Sequence, residues 1–180
     1  MAPGIEFRLF ELKDAEPVFV VVDGTRAYLR EWLPWVDLTE SVDDLRRFIG
    51  KVREQFAAGR GPQCVILVDG AVAGSIGCHP IDWRNRSCSI GYWIDQRFQG
   101  KGVITRCCEN MLDYLFDELE LHRVSIHCGV ANTRSCAIPE RMGFTREGLL
   151  RDGEWVNDHW LDIVAWGMLD RDWRARRTAR

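Results

Sequence analysis

Apolar positions along this chain change their spacing several times, and each change predicts an element. In Ile5 to Phe10, "IEFRLF", apolar and polar residues alternate as on a strand with one buried face. Asp14 is placed to cap a following helix, and Thr25 to Leu33 reads as a second helical piece stopped by Pro34. Ser41, with Asp44 three residues on, has the form of a capping box for a helix reaching about Ala58. A β section follows. "CVILV" reads as a buried strand, Asp69-Gly70 as a tight turn, "AVAGSIGC" as the returning strand, and Arg84-Asn85 as the break before "SCSIGYWI". From Val103 the period lengthens: Val103, Ile104, Cys107, Cys108, Met111, Leu112, Leu115 and Phe116 form one wide helical face. "RVSIHCGV" then reads as a strand, and Asn132 caps a short helix that Gly143 ends. "FTREGLLR" and "WLDIVAWGML" read as strands around an Asp152-Gly153 turn. The pattern predicts a mixed α/β class, a twisted sheet with helices on both faces.

Composition narrows this to one domain. The 180 residues are 46% hydrophobic and 28% charged, enough for a single stable core over residues 1–170. No run of 18 apolar residues occurs, and "MAPGIEFRLF" has neither a positive start nor an apolar stretch, so no membrane span or export signal is expected and the location predicted is cytoplasmic. The seven cysteines are odd in number, lack any C-x-x-C pair and fall in apolar runs, which predicts buried reduced thiols and no metal. Net charge is −3, yet the last ten residues, 171–180, hold five arginines and one aspartate, +4, leaving −7 elsewhere. That basic tail reads as a solvated, frayed end; the acidity of the remainder argues against nucleic acid as partner.

The candidate chemistry lies in "RFQGKGVITRCC". A helix must begin near Val103, but no Ser, Thr, Asp or Asn stands ready to cap it. Gln99, Gly100, Lys101, Gly102 and Val103 are therefore expected to offer bare N–H donors at a positive dipole end, with two positions lacking Cβ. An anion site follows, most naturally for a pyrophosphate. Lys101 is followed by Gly102 and not by a hydroxyl residue, so this is no P-loop; Thr105 stands where a dinucleotide fingerprint needs a small residue. Glycines that merely ease a strand-to-helix turn remain the alternative.

Arg97-Phe98-Gln99-Gly100-Lys101-Gly102 fits the Arg/Gln-x-x-Gly-x-Gly/Ala signature of GCN5-related N-acetyltransferases (GNAT). The surrounding "SIGYWIDQRFQGKGVIT", together with "LREWLPWVD", "GVANTRSCAIPERMGF" and "DIVAWGML", closely resembles their RimJ/RimL-type branch, the ribosomal-protein N-terminal acetyltransferases. The resemblance spans nearly the whole chain and implies a mostly antiparallel mixed sheet of about seven strands. It implies acetyl-CoA as cofactor, with Tyr92, Trp93 and Ile94 binding the pantetheine arm by main chain and Arg97, Phe98, Gln99, Gly100, Lys101, Gly102 and Val103 at the phosphates. Arg106 adds positive charge to the same rim. Ile94 or Trp93 would supply the oxyanion N–H, and Asn132 would contact the pantetheine while capping its helix.

By the same resemblance Ser135 is the catalytic residue, donating to the departing thiolate. Pro139 cannot donate to the Ser135 carbonyl and should bend the helix there. Trp32 and Trp35 would border the acceptor cleft, with Glu31 and Asp37 nearby. Many relatives carry glutamate where this chain has Ser89, so the general base is open among His79, Asp82, Asp158 and His159, with ordered water sufficient for an α-amine. The acceptor implied is a protein N-terminus, ribosomal in type. A small amine is the alternative, and a non-catalytic acyl-CoA-binding module is the alternative of another class. Dimerisation is compatible with the resemblance, with no interface legible.

Overall fold

The computed structural model describes residues 4–178. Seven strands, β1 (Ile5–Leu9), β2 (Gln63–Val68), β3 (Ala71–Cys78), β4 (Ser87–Ile94), β5 (Arg123–Gly129), β6 (Thr145–Val156) and β7 (His159–Leu169), form one sheet in the order β1-β2-β3-β4-β5-β7-β6. Every neighbouring pair is antiparallel except β4 and β5, which run parallel. The helices are α1 (Ala15–Gly24), α2 (Arg26–Leu29), α3 (Val42–Ala57), α4 (Val103–Asp113), α5 (Thr133–Arg141) and α6 (Asp170–Thr178). None is long and apolar enough to cross a membrane.

Two cores lie on opposite faces. One packs α4, with Val103, Ile104, Cys107, Cys108, Met111 and Leu112 all buried, against Ile66, Ile76, Ile90, Val124 and Ile126. Trp173 of α6 and Met142 just beyond α5 join it. The other packs Val18 and Val22 of α1 and Leu45, Ile49 and Val52 of α3 against Val65 and Val72. The spacings of four and three along α3 are one helical stripe. Ser41 and Asp44 form the expected capping box at its start. All seven cysteines are free thiols, six of them buried, as their placement in apolar runs predicts.

Four expectations need correction. Asp14 does not cap α1 with its side chain; its carboxylate takes both Arg8 guanidinium nitrogens at 2.8 Å and the Glu11 N–H at 2.8 Å. The helix expected over Thr25 to Leu33 stops at Leu29; the chain then turns, with the Trp32 and Leu33 N–H groups both on the Leu29 carbonyl, and the Arg30 carbonyl, which Pro34 has no N–H to reach, accepts from the Asn157 side chain. Asp152-Gly153 is not the hairpin turn. β6 runs through it with a bulge, Asp152 at φ +48°, and the chain reverses at Asn157-Asp158, between the paired Val156 and His159. Lastly, the basic terminal segment is a helix and not a frayed end: Trp173 is 2% exposed and its indole N–H donates to Asp113 at 3.0 Å, while Arg177 pairs with Asp113 and Asp117. Residues 179 and 180 of that segment lie outside the described residues.

Candidate active site

The site begins where the sheet comes apart. β4 and β5 pair from Ser87↔Arg123 to Ile90↔Ile126, and beyond that register both strands continue without each other, β4 to Ile94 and β5 to Gly129. Each stays paired on its far side, with β3 and β7. The result is a wedge inside a sheet, walled by backbone that lacks a strand partner. Asp95 donates its N–H to Ala73, so by alternation Trp93 also faces β3, whereas the N–H and C=O of Tyr92 and Ile94 face the wedge. An extended ligand arm is the shape that fits such a slot. Of the two residues expected to offer an oxyanion donor, Ile94 points the right way and Trp93 does not.

At the wide end stands the glycine loop. Gly100 (φ +71°) and Gly102 (φ +75°) adopt left-handed conformations, and a Cβ on either would meet nothing within 4 Å. The glycines therefore serve backbone conformation and clearance, not packing. No side chain caps α4. Gly100, Lys101, Gly102 and Val103 donate to no group among the described residues. Gln99 does not belong with them as a bare donor, because its N–H is given to the Gln96 carbonyl at 3.2 Å. Its side chain does the work of a brace, donating to the Tyr28 hydroxyl at 2.7 Å and accepting from Arg134 at 2.5 Å. Arg97 Cζ and Lys101 Nζ lie 5.6 and 5.5 Å from the centre of the Phe98 ring. Arg97 is also committed to buried Asp95, whose carboxylate takes its Nε at 2.7 Å and its N–H at 2.9 Å, and that hydrogen bond holds the guanidinium's pKa above its ordinary value. Lys101 and Arg106, both exposed, complete the positive rim.

Below the wedge, Asn132 caps α5 by accepting the Ser135 N–H at 3.1 Å. The Ser135 hydroxyl lies 3.4 Å from the Tyr92 phenol oxygen and 3.3 Å from Cys128 Sγ. Burial pushes the Tyr92 phenol well above its ordinary pKa and the Cys128 thiol up to about 12. Both neighbours of the serine hydroxyl are thus neutral near pH 7. Sequence reasoning placed Tyr92 here only through its main chain; nothing local signals that its side chain meets a residue 43 positions away.

The opposite face of β4 and β5 is not roofed by α1 or α3, whose core covers β2 and β3. Alternation puts Ser89, Gly91, Ser125 and His127 on it. His79 Nε2 would lie 3.4 Å from a Cβ on Gly91, so of the four candidate bases His79 reaches this face. Asp82 instead closes the β3–β4 turn through Asn85, and Asp158 and His159 bond each other at 2.7 Å at the hairpin tip. His127, which sequence reasoning missed, stands one position past the last β4–β5 pair. Burial, His79 and Arg123 lower its pKa, against the opposing pull of Glu154 and Glu147, so its imidazole is uncharged at neutral pH. The signal for it was its place beside Cys128 in an alternating strand.

The two tryptophans part company. Trp32 borders the wedge, its ring 3.5 Å from where a Gly129 Cβ would sit. Trp35 packs on Trp93 at 6.0 Å between ring centres, in the core beside α1 and α3. Asp37 is paired with Arg30 at 2.9 Å on the surface.

Known proteins resemble this chain in sequence and fold. The chain matches the acetyltransferase (GNAT) domain family over residues 5–145. It is similar to a putative ribosomal N-acetyltransferase, YdaF, of Bacillus subtilis (strain 168), 40% identical over 96% of this chain and 95% of that one. It is also similar to the ribosomal-protein-serine acetyltransferase of Escherichia coli (strain K12), 25% identical over 91% of each chain. Among solved structures, the Microcin C7 self immunity acetyltransferase MccE in complex with acetyl-CoA and AMP superposes with a TM-score of 0.87, at 26% identity over 93% of each chain.

Proposed function

This chain belongs to the GNAT acetyltransferase family, and from that premise we propose that it is an acetyl-CoA-dependent N-acetyltransferase whose acceptor is the N-terminal α-amine of a protein, ribosomal in type. The observation that carries the reading is the parting of β4 and β5 directly beside the bare amides of Gly100 to Val103. The names of the two ribosomal-type relatives support the acceptor. A ribosomal acceptor places the reaction in the cytoplasm.

When bound, acetyl-CoA supplies an activated thioester; the remaining work is done by this chain. Gly100 to Val103 hold the diphosphate on backbone N–H groups, with Lys101 and Arg106 compensating its charge. The main chain of Tyr92 and Ile94 would hold the pantetheine arm, and the Asn132 side-chain NH2, left over by the cap on Ser135, would meet it from α5. The Ile94 N–H, which points into the wedge, would stabilise charge that develops on the carbonyl oxygen. The acceptor amine arrives over the open face beside Trp32. There it loses its surplus proton to water ordered by His79 and neutral His127; an α-amine, with a pKa near about 8, needs no stronger base. The Ser135 hydroxyl, whose proton otherwise points to the Tyr92 oxygen, would turn it toward the departing sulfur and stabilise the thiolate by a hydrogen bond, because protonated Tyr92 and protonated Cys128 are only weak acceptors.

Mass spectrometry of the protein incubated with acetyl-CoA and a mixed library of peptides and small amines tests the acceptor. Acetyl groups are expected on peptide α-amines; turnover confined to small amines refutes the assignment. Ser135→Ala should lower kcat about 100-fold with coenzyme A affinity retained. Binding of coenzyme A with no acetylation of any amine would mark a non-catalytic module.

A further inference from the structure

Pro139 leaves a helical carbonyl without its donor. In α5 the Ser135 C=O would receive the N–H four residues on, but that residue is Pro139, which has none. Pro139 is buried, and α5 nevertheless continues to Arg141. The donor comes from outside the helix: the Tyr92 hydroxyl, on β4, lies 3.2 Å from the Ser135 carbonyl oxygen. The same phenol oxygen accepts from the Ser135 hydroxyl at 3.4 Å. With the Ser135 N–H held by Asn132 at 3.1 Å, every polar group of this serine is held by a side chain, and two of the three by Tyr92.

We propose that Tyr92 is a positioning residue for Ser135, its phenol replacing the missing Pro139 N–H and thereby fixing the serine hydroxyl at the floor of the wedge. The inference rests on the acetyltransferase reading above. Tyr92 belongs to one wall of the wedge and Ser135 follows the other, so the phenol bridges two walls that share no strand pairing beyond Ile90 and Ile126. The phenol has one proton, and donating it to the carbonyl leaves its oxygen as acceptor only toward the serine. Burial keeps that proton in place, and the nearby Cys128 and Cys108 thiols act in the same direction. Both distances are long for hydroxyl donors. The contact therefore acts by restricting where the helix turn and its hydroxyl sit, not by strength of bonding.

A double-mutant cycle separates this from a simple packing role, because alanine at 139 would return the N–H whose absence makes the phenol necessary. Tyr92→Phe should lower kcat about 10-fold while KM for acetyl-CoA stays within about 2-fold. Pro139→Ala should stay near wild type. Tyr92→Phe combined with Pro139→Ala should recover to within about 3-fold of the wild-type kcat. Unchanged kcat in a folded Tyr92→Phe protein overturns the proposal. So does a double variant that regains thermal stability but stays as slow as Tyr92→Phe, since the phenol would then act on the chemistry directly. If Tyr92→Phe alone does not fold, the comparison moves to the Pro139→Ala background: equal kcat with and without the phenol supports the proposal, and a 10-fold difference sinks it. A wild-type protein that binds coenzyme A yet acetylates no amine would instead bring down the underlying acetyltransferase reading.

Discussion

Asp14 shows how one residue can be misread locally and still be indispensable. It stands before a helix and looks like a cap, but it is 4% exposed and its partners are Arg8, on β1, and the Glu11 amide. Burial alone would push this carboxyl up; the Arg8 hydrogen bonds and the Glu11 N–H outweigh it and hold the pKa below its ordinary value. A depressed folded pKa contributes stability that is present above the unfolded value, about 4, and is lost as pH falls through the folded value. Arg8→Ala strands a buried carboxylate and should cost about 3 kcal/mol at pH 7, measured by urea unfolding. The deficit should shrink as pH falls and vanish only once pH has passed below the lowered value that Asp14 has beside Arg8, where the carboxyl is protonated with or without its partner. A deficit that stays constant with pH would assign Arg8 a packing role only. What a single position can do was legible from type and spacing at Ser41, Asn132 and Gly102. It was not legible at Asp14, Tyr92 or His127, whose meaning comes from partners on other elements.

Elements were read well where the period came from burial on one face and poorly where local chemistry is shared by two outcomes. α3 and α4 are clear because each buries a single stripe. Asp152-Gly153 carries the residue types of a tight turn, but positive φ at Asp152 serves a bulge equally well, and only the cross-strand pairing of Val156 with His159 decides where the chain reverses. In the same way, Arg177 and Trp173 of α6 read as part of a solvated run because their partners, Asp113 and Asp117, are about sixty residues away. The uncapped start of α4 was visible, since the missing residue types are themselves local. It also separates conformation from ligand. Gly102→Asn tolerates positive φ and should change stability by less than about 1 kcal/mol, while Gly102→Val should lose more. Both put a Cβ where the diphosphate would approach, so calorimetry should show coenzyme A affinity falling at least about 10-fold for each. Unaltered affinity for Gly102→Asn would mean that the backbone at this position is not approached by the ligand.

At the scale of the molecule, the order β1-β2-β3-β4-β5-β7-β6 divides the protein into two unequal slabs. One carries α1 to α3 and the other α5 and α6; the sheet joins them through the pairs Ser87–Ile90 with Arg123–Ile126, and α4 clamps them from below. A bound coenzyme A would act as the missing seam, because the unpaired main chain of Tyr92 and Ile94 would gain a partner that folding by itself never provides. Ligand held by the folded chain alone stabilises it by mass action, about 2.7 kcal/mol at a concentration 100 times the dissociation constant, or several degrees of melting temperature for a chain of this length. Amide exchange at Tyr92 and Ile94 should slow in step with that rise. In a cell, such a protein would resist heat and proteases in proportion to how well it is supplied with its thioester, so starvation for the cofactor would thin out the enzyme as well as idle it.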